Sequence, residues 1–304
     1  MPNVDMRDAF FNGVYEVIRD NKDAIILTAD HDAFGLSKIE KEFPKQFFNV
    51  GISEQNMISV AAGLAKSGKI VYVYSINNFI TLRSLEQVNV DLCQMNLNVN
   101  LIGVGAGFTY STDGPTHQGM QDMQVMRVLP NLEVHNVTDS TNSYEMAKNS
   151  YKNNCPKYFR IEKGLFTKIY DTYDSSCGIH KIINANETYI VTTGFMVHTA
   201  IDVSKKIGDI GVIDVTRIKP FDENLFLEHI KNVKTIITLE ENTISGGLGE
   251  KVGFVLAKNN INCNFVPVAI KNQHCFSYDS RKSLHKKYNI STNSVIRKIN
   301  KIAL

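Results

Sequence analysis

Two short segments of the chain combine polar side chains with backbone freedom in a way that suits chemistry. In NVGISEQNMISVAAGLA (49–65) a strand pattern ends at Val50, Gly51 permits a tight turn and Ser53 is placed to cap a helix. Glu54 then falls in the first helical turn, where the helix dipole favours a carboxylate. The same place, the C-terminal edge of a parallel sheet, is where α/β folds bind ligands. Glu54 is therefore either a dipole-stabilised surface charge or a group that shares protons with a ligand. The second segment is STDGPTHQGMQDMQVMRVLPN (111–131). Asp113, Gly114, Pro115, Thr116 and His117 make a dense turn ahead of a helical pattern. Gly and Pro are what any surface turn needs. An imidazole at a sheet edge can also exchange a hydrogen bond with a substrate hydroxyl, so both readings of His117 stand.

These residues act together only if the elements between them bring two loops to one edge. The pattern supplies such elements. Residues 6–19 place Phe10, Val14, Val17 and Ile18 on one helical face. AIILTA (24–29), FFNV (47–50), IVYVY (70–74), VNLIGV (99–104), LEVHNV (132–137) and KYFRI (157–161) read as strands. Helices are expected at 53–68, 80–95, 118–129 and 140–152. The alternation breaks at 163–186, which reads as a linker with a hairpin, and then restarts. Strands at 187–194, 210–215, 234–241 and 262–270 alternate with helices at 197–207, 222–231 and 247–259, and a helix near 292–302 closes the chain. Such alternation predicts an α/β fold of two doubly wound domains, 1–175 and a smaller 186–304, each with a mostly parallel sheet covered by helices.

Composition narrows the function classes. The 304 residues carry 33 Lys+Arg against 31 Asp+Glu, so charge points to no nucleic acid or other polyanion. No apolar stretch is long enough to span a bilayer, and the N-terminus has no signal-peptide pattern. The five cysteines are widely spaced with no CxxC pair, which argues against structural zinc and suits a reducing cytoplasm.

Taken together, the two segments resemble the transketolase family of thiamine diphosphate enzymes. Glu-Gln after Val-Gly-Ile, followed by Ala-Ala-Gly-Leu-Ala, is similar to that family's pyrimidine-binding domain. Asp-Gly-Pro-Thr-His-Gln followed by Met-Arg-x-Leu-Pro-Asn is similar to its substrate loop. YSINNFITLRSLEQV (74–88) resembles the aromatic segment of transketolases encoded as two chains, and the resemblance extends into the second domain, which is C-terminal-domain-like. It implies that Glu54 bonds N1′ of the cofactor's aminopyrimidine. A proton shared there favours the imino tautomer, whose 4′ nitrogen takes the thiazolium C2 proton to give the ylide. It implies that Phe79 stacks on the pyrimidine, that Asp30 faces the cofactor, and that Asp113 and His117 contact sugar hydroxyls, His117 with a catalytic role. It implies that Arg7 and Arg160 hold the acceptor's phosphate. His31, an unusual residue after Asp30, either contacts the substrate or satisfies a loop carbonyl.

The departures from the family carry equal weight. Transketolases place a serine where this chain has Phe34 and a histidine where it has Gly105, so two of four phosphate-contacting positions are lost. This points to a modified sugar. The family's Gly-Asp-Gly segment with its downstream Asn pair, which binds the diphosphate and a divalent metal, does not occur; Asn77-Asn78 lacks the upstream half. GVGAG (103–107) reads as flexible backbone beside the substrate, and SGGLGE (245–250) as a packing turn or an anion site at a helix start. The resemblance thus implies a split enzyme: a partner subunit supplies the diphosphate site and most of the ligands of Mg2+ or Ca2+, in an α2β2 assembly that moves a two-carbon ketol unit between sugars. No metal ligand is expected here. The β subunit of a 2-oxo acid dehydrogenase first component, deoxyxylulose-phosphate synthase, and a non-catalytic scaffold of the same fold are the alternatives.

Overall fold

The computed structural model describes residues 4–302. The first sheet has seven strands in the order β10-β5-β6-β4-β3-β1-β2. They are β1 (Ala24–Thr28), β2 (Phe47–Asn49), β3 (Ile70–Ile76), β4 (Val99–Val104), β5 (Glu133–Asn136), β6 (Lys157–Ile161) and β10 (Arg217–Lys219). All pair in parallel except β10, which runs antiparallel to β5. Every residue of β1, β4 and β6 is buried, because helices cover both faces. The second sheet has the order β12-β11-β8-β9-β7, with β7 (Ile179–Ile183), β8 (Thr188–Thr192), β9 (Gly211–Val215), β11 (Thr235–Thr243) and β12 (Asn264–Ile270). Only β7 is antiparallel there. The two sheets are tied together, since β10 follows β9 in sequence yet completes the first sheet. Among the described residues no helix is long and apolar enough to cross a membrane.

The helices follow from the pattern with instructive exceptions. Helix α1 (Met6–Asp20) is capped by Asp5, whose carboxylate accepts from Arg7 N at 2.9 Å, and it buries Phe10, Val14, Val17 and Ile18 as expected. It lies against α7 (Ser140–Asn149), which Asp139 caps. Helix α2 (Phe34–Glu42) was not expected. Helix α3 (Glu54–Lys66) starts at Glu54, but Ser53 does not cap it: its hydroxyl donates back to Val50 O at 3.1 Å.

The helix expected over 80–95 is broken into α4 (Asn77–Ile80), α5 (Leu85–Gln87) and a π-helical segment, Val88–Gln94. Thr81 Oγ1 bonds Asn77 O and Ser84 Oγ bonds Phe79 O, so side chains compete for the carbonyls that a regular helix would use. Helix α6 (Asp122–Val128) begins four residues later than expected. Residues 118–121 are spent on a backbone pairing in which Gly119 and Gly107 exchange two hydrogen bonds of 2.9 and 3.1 Å.

The 163–186 segment is no hairpin. Its β7 pairs with β9, and Asp139 Oδ2 fixes its path by accepting from Ile169 N and Tyr170 N at 2.7 and 2.8 Å. The second unit adds α8 (Met196–Ile207), α9 (Glu223–His229), α10 (Leu248–Lys258), α11 (Arg281–Lys287) and α12 (Thr292–Ile302).

The α1–α7 packing generates a test. A Cβ on Gly13 would stand 2.5 Å from Tyr144 O and 2.7 Å from Ala147 Cβ. Gly13→Ala gains about 1 kcal/mol of helix propensity. Overpacking against a backbone carbonyl costs roughly 1–3 kcal/mol. The variant is expected to melt below the parent in a thermal unfolding experiment; a higher midpoint would mean that α7 slides freely.

Candidate functional site

The carboxyl ends of β1, β2, β3 and β4 carry the candidate site. Glu54, in the first turn of α3, is only 4% exposed. Its Oε2 accepts from Arg83 Nη1 at 2.9 Å, and among the described residues Oε1 has no donor. The Arg83 guanidinium lies 4.1 Å from the centroid of the Phe79 ring. Glu54 and Phe79, separate on the sequence, are therefore joined by a cation that the sequence reading did not single out. The edge of Phe79 meets the His117 ring, with centroids 5.2 Å apart at 73°. The His117 Nδ1 is 2.9 Å from Thr116 Oγ1.

The loop that carries His117 is held from beneath by Asn77 and Asn78. Asn78 Nδ2 donates to Thr116 O and Gln118 O at 3.0 and 3.1 Å, and Asn77 Nδ2 to Gly105 O at 2.8 Å. The Asn pair thus fastens two loops to the end of β3. From the second unit, Ser277 O accepts from Gln118 Nε2 at 3.2 Å, and the Tyr278 ring covers Gly114 so closely that a Cβ there would lie 2.5 Å from it. Asp113 is exposed at the loop's tip, with its charge felt by Tyr110.

Asp30 takes a left-handed conformation, φ 53°, just after β1. Asn49 bridges it to the start of α3: Asn49 Oδ1 accepts from Asp30 N and Gly51 N, both at 3.0 Å, and Asn49 Nδ2 donates to Asp30 Oδ1 at 3.2 Å. His31, Arg7 and Lys163 form the neighbouring cluster. Met6 N donates to Gly164 O at 2.9 Å, which sets Arg7 beside the residue after Lys163. Arg7 Nη1 donates to Asp32 O at 3.3 Å. Burial, then the charges of Arg7 and Lys163, pushes the His31 imidazole below its ordinary value, so His31 is a neutral ring beside two cations. Its Nε2 is buried with no partner among the described residues, and the ring leans on Tyr74 with centroids 5.2 Å apart.

Arg160 stands apart from this cluster. It is 3% exposed, with Nε donating to Asp122 Oδ2 and Nη2 to Gly119 O, both at 2.8 Å. Tyr158 OH donates to the same Asp122 oxygen at 2.7 Å. In this arrangement Arg160 staples α6 and the 118–121 segment to β6 through Nε and Nη2, while among the described residues Nη1 has no partner. The exposed cation near Arg7 is Lys163, three residues later, which the sequence reading missed.

Phe34 is 82% exposed at the start of α2. Gly105 has φ 108°, and a Cβ there would lie 2.6 Å from the Tyr110 ring, so Tyr110 fills the space a larger residue would need. The SGGLGE turn is a packing turn: Glu240, pushed up to about 7 by burial, occupies the start of α10 by accepting from Leu248 N and Gly249 N at 2.8 and 2.9 Å. Among the described residues no group of three or more His, Cys, Asp or Glu is placed to hold a metal ion.

Comparison with known proteins agrees with this geometry. Residues 2–168 match the family model of the transketolase pyrimidine binding domain, and residues 181–295 that of the transketolase C-terminal domain. One of the subunits of an apulose-4-phosphate transketolase of Phocaeicola vulgatus is 30% identical, over 88% of this chain and 88% of its own. A 6-deoxy-6-sulfo-D-fructose transketolase subunit of Clostridium sp. (strain MSTE9) is 29% identical, over 84% of this chain and 81% of its own. A solved structure described as "Split gene transketolase, inactive beta4 tetramer" superposes with a TM-score of 0.89 at 27% identity, covering 98% of both chains.

The two possible roles of Arg160 make opposite demands. Removing one partner of a buried ion pair costs about 3–5 kcal/mol, because the other charge is left without compensation. Arg160→Ala is expected to lower the urea midpoint markedly, through Asp122 left alone. Unchanged stability with a raised KM would instead make Arg160 a substrate contact.

Proposed function

The chain belongs to the transketolase family, and on that premise we propose that it is the pyrimidine-binding subunit of a split enzyme that transfers a two-carbon ketol unit between sugars. The observation that carries the reading is the buried Glu54 carboxylate joined through Arg83 to the Phe79 ring, with His117 packed on that ring. A buried carboxylate with one free oxygen beside an aromatic face fits the edge and face of an aminopyrimidine. The residues fit that half of thiamine diphosphate. When bound, the cofactor supplies the carbon nucleophile that adds to a ketose carbonyl.

The chain's own residues do the rest. Glu54 holds a proton at N1′, Phe79 fixes the ring plane, and Asp30, bridged through Asn49, faces the same pocket. His117 and Asp113 bond sugar hydroxyls, His117 also passing protons at the carbonyl. The diphosphate and the divalent metal fall to a partner subunit of N-terminal transketolase type in an α2β2 assembly within the cytoplasm. The names of the relatives support this, since one is a subunit of a multi-chain transketolase and another a split-gene product.

We assign the acceptor to the modified sugars. Arg7 and Lys163 supply two cations for one anionic group, and Phe34 offers an apolar face where a hydroxyl donor would serve a phosphate. Two relatives are named for a branched-chain sugar phosphate and a sulfo-sugar, which supports a modified sugar among the substrates.

Glu54→Gln, purified with the partner and thiamine diphosphate, is expected to fold normally and lose about 10²–10⁴-fold in kcat. Turnover equal to the parent's would sink the assignment. In a side-by-side measurement of kcat/KM, xylulose 5-phosphate with ribose 5-phosphate is expected to perform poorly. Efficiency matching an ordinary transketolase would show that Phe34 and Gly105 do not set the acceptor.

A further inference from the structure

Residues 271–304 hold eight Lys and Arg against a single acidic side chain, Asp279. Five of the eight, Lys271, Lys287, Arg297, Lys298 and Lys301, line one cavity of about 690 Å³ between the end of β12, α11 and α12. Among the described residues the remaining polar walls are amides and hydroxyls, with no carboxylate. Among the described residues none of the five is ion-paired. Lys298 is half-buried, and burial alone pushes its ammonium below the ordinary value.

Lys251 and Lys258, by contrast, share Glu223. Five like charges around one concavity, four of them exposed, make a region of positive potential that favours an anion. The volume suits a small molecule of nucleotide size.

The cavity is also wired to the active-site loop. Lys287 Nζ donates to Ser277 Oγ at 2.6 Å, and the Tyr288 hydroxyl is 3.1 Å from the same oxygen. Ser277 O in turn accepts from Gln118, directly after His117, and Tyr278 lies on Gly114. An anion that recruits Lys287 competes with Ser277 for its ammonium and so changes the support under residues 113–118. We propose that this cavity is a second site that binds a phosphorylated small molecule, and that Lys287 and Ser277 communicate its occupancy to the His117 loop.

Inorganic pyrophosphate titrated into the full chain by calorimetry tests the site without cofactor or partner, so its outcome is separate from that of the catalytic assignment. Saturable binding is expected, weakening with salt, at least about tenfold weaker in Arg297→Ala/Lys298→Ala and unchanged in Arg7→Met. No saturable heat up to millimolar concentrations, insensitivity to the paired substitution, or loss in Arg7→Met would overturn it; the last would place the anion in the sugar site. Tighter binding of single-stranded RNA than of ADP would likewise remove the small-molecule assignment. Hydrogen exchange over 113–118 is expected to change on adding pyrophosphate, and not to change in Ser277→Ala although pyrophosphate still binds. An unaltered loop in the parent chain would overturn the coupling.

Discussion

A single guanidinium between two sheets sets the geometry on which the site depends. Arg281, at the start of α11, donates to both oxygens of Glu162 at 2.9 and 2.8 Å, just past the end of β6, and to Glu241 on β11 at 2.8 Å. It also lies 3.6 Å from the centroid of the Phe195 ring. Desolvating such a cation costs several kcal/mol, repaid only when partners saturate its planar fork of donors. Burial pushes the Glu241 carboxyl up, but Arg281 and His285 outweigh it and hold the group well below the ordinary range. Shifting the C-terminal unit away from the first sheet would break this pairing and leave buried charge behind. The relative position of the units is therefore a consequence of charge satisfaction as much as of apolar packing.

The loops inherit that constraint. Gly107 passes against Glu241 so closely that no side chain fits there, and Thr109 bonds Glu162 through its hydroxyl. The 105–109 backbone is thus pinned to the same carboxylates that hold Arg281. Its far side exchanges backbone bonds with Gly119, which Arg160 also engages. Between these anchors the 113–118 loop hangs from Asn78 on one side and Ser277 on the other. His117 is fixed against Phe79 by supports drawn from both units, which is why a C-terminal unit without a residue of the Glu54–Phe79 group still bears on the chemistry.

How much of this was legible follows from what kind of signal each feature leaves. The buried strands could be read because burial on both faces leaves unbroken apolar runs such as AIILT and VNLIGV. Helix α12 came out at its expected bounds, 292–302, because an amphipathic period needs no tertiary information. The break in the helix after Ile80 was illegible, since it depends on whether Thr81 and Ser84 turn their hydroxyls to the backbone or to solvent. Strand β10 is three residues long and pairs with a sheet laid down earlier in the chain, so no local pattern announces it. In the candidate site, Glu54 and His117 could be singled out by residue type at a turn. Arg83 and Lys163 did not, because a lone cation on a half-exposed helix or loop is what a solvated surface also looks like. For Arg160 the residue type suits an anion, and only the fold reveals that its Nε also pairs with the buried Asp122.

Arg83 shows how a half-built site stays stable. Glu54 is buried, and on the proposed function its ligand arrives on another molecule; a buried carboxylate without a counter-charge is costly. The ion pair with Arg83 meets that cost in the chain by itself, and stacking on Phe79 covers an aromatic face that would otherwise meet water. Arg83 keeps 46% of its side chain exposed, so the guanidinium can leave both contacts by rotating into solvent rather than by disturbing the core. Any ring that comes to lie on Phe79 and bond Glu54 makes the same two contacts, a flat cationic or polar plane on the aromatic face and a hydrogen bond to the carboxylate. The exchange replaces like with like, and the net free energy of seating such a ring is correspondingly modest. On the function proposed for the chain, tight binding then comes from groups outside it, and a partner that grips the other end of the ligand supplies them.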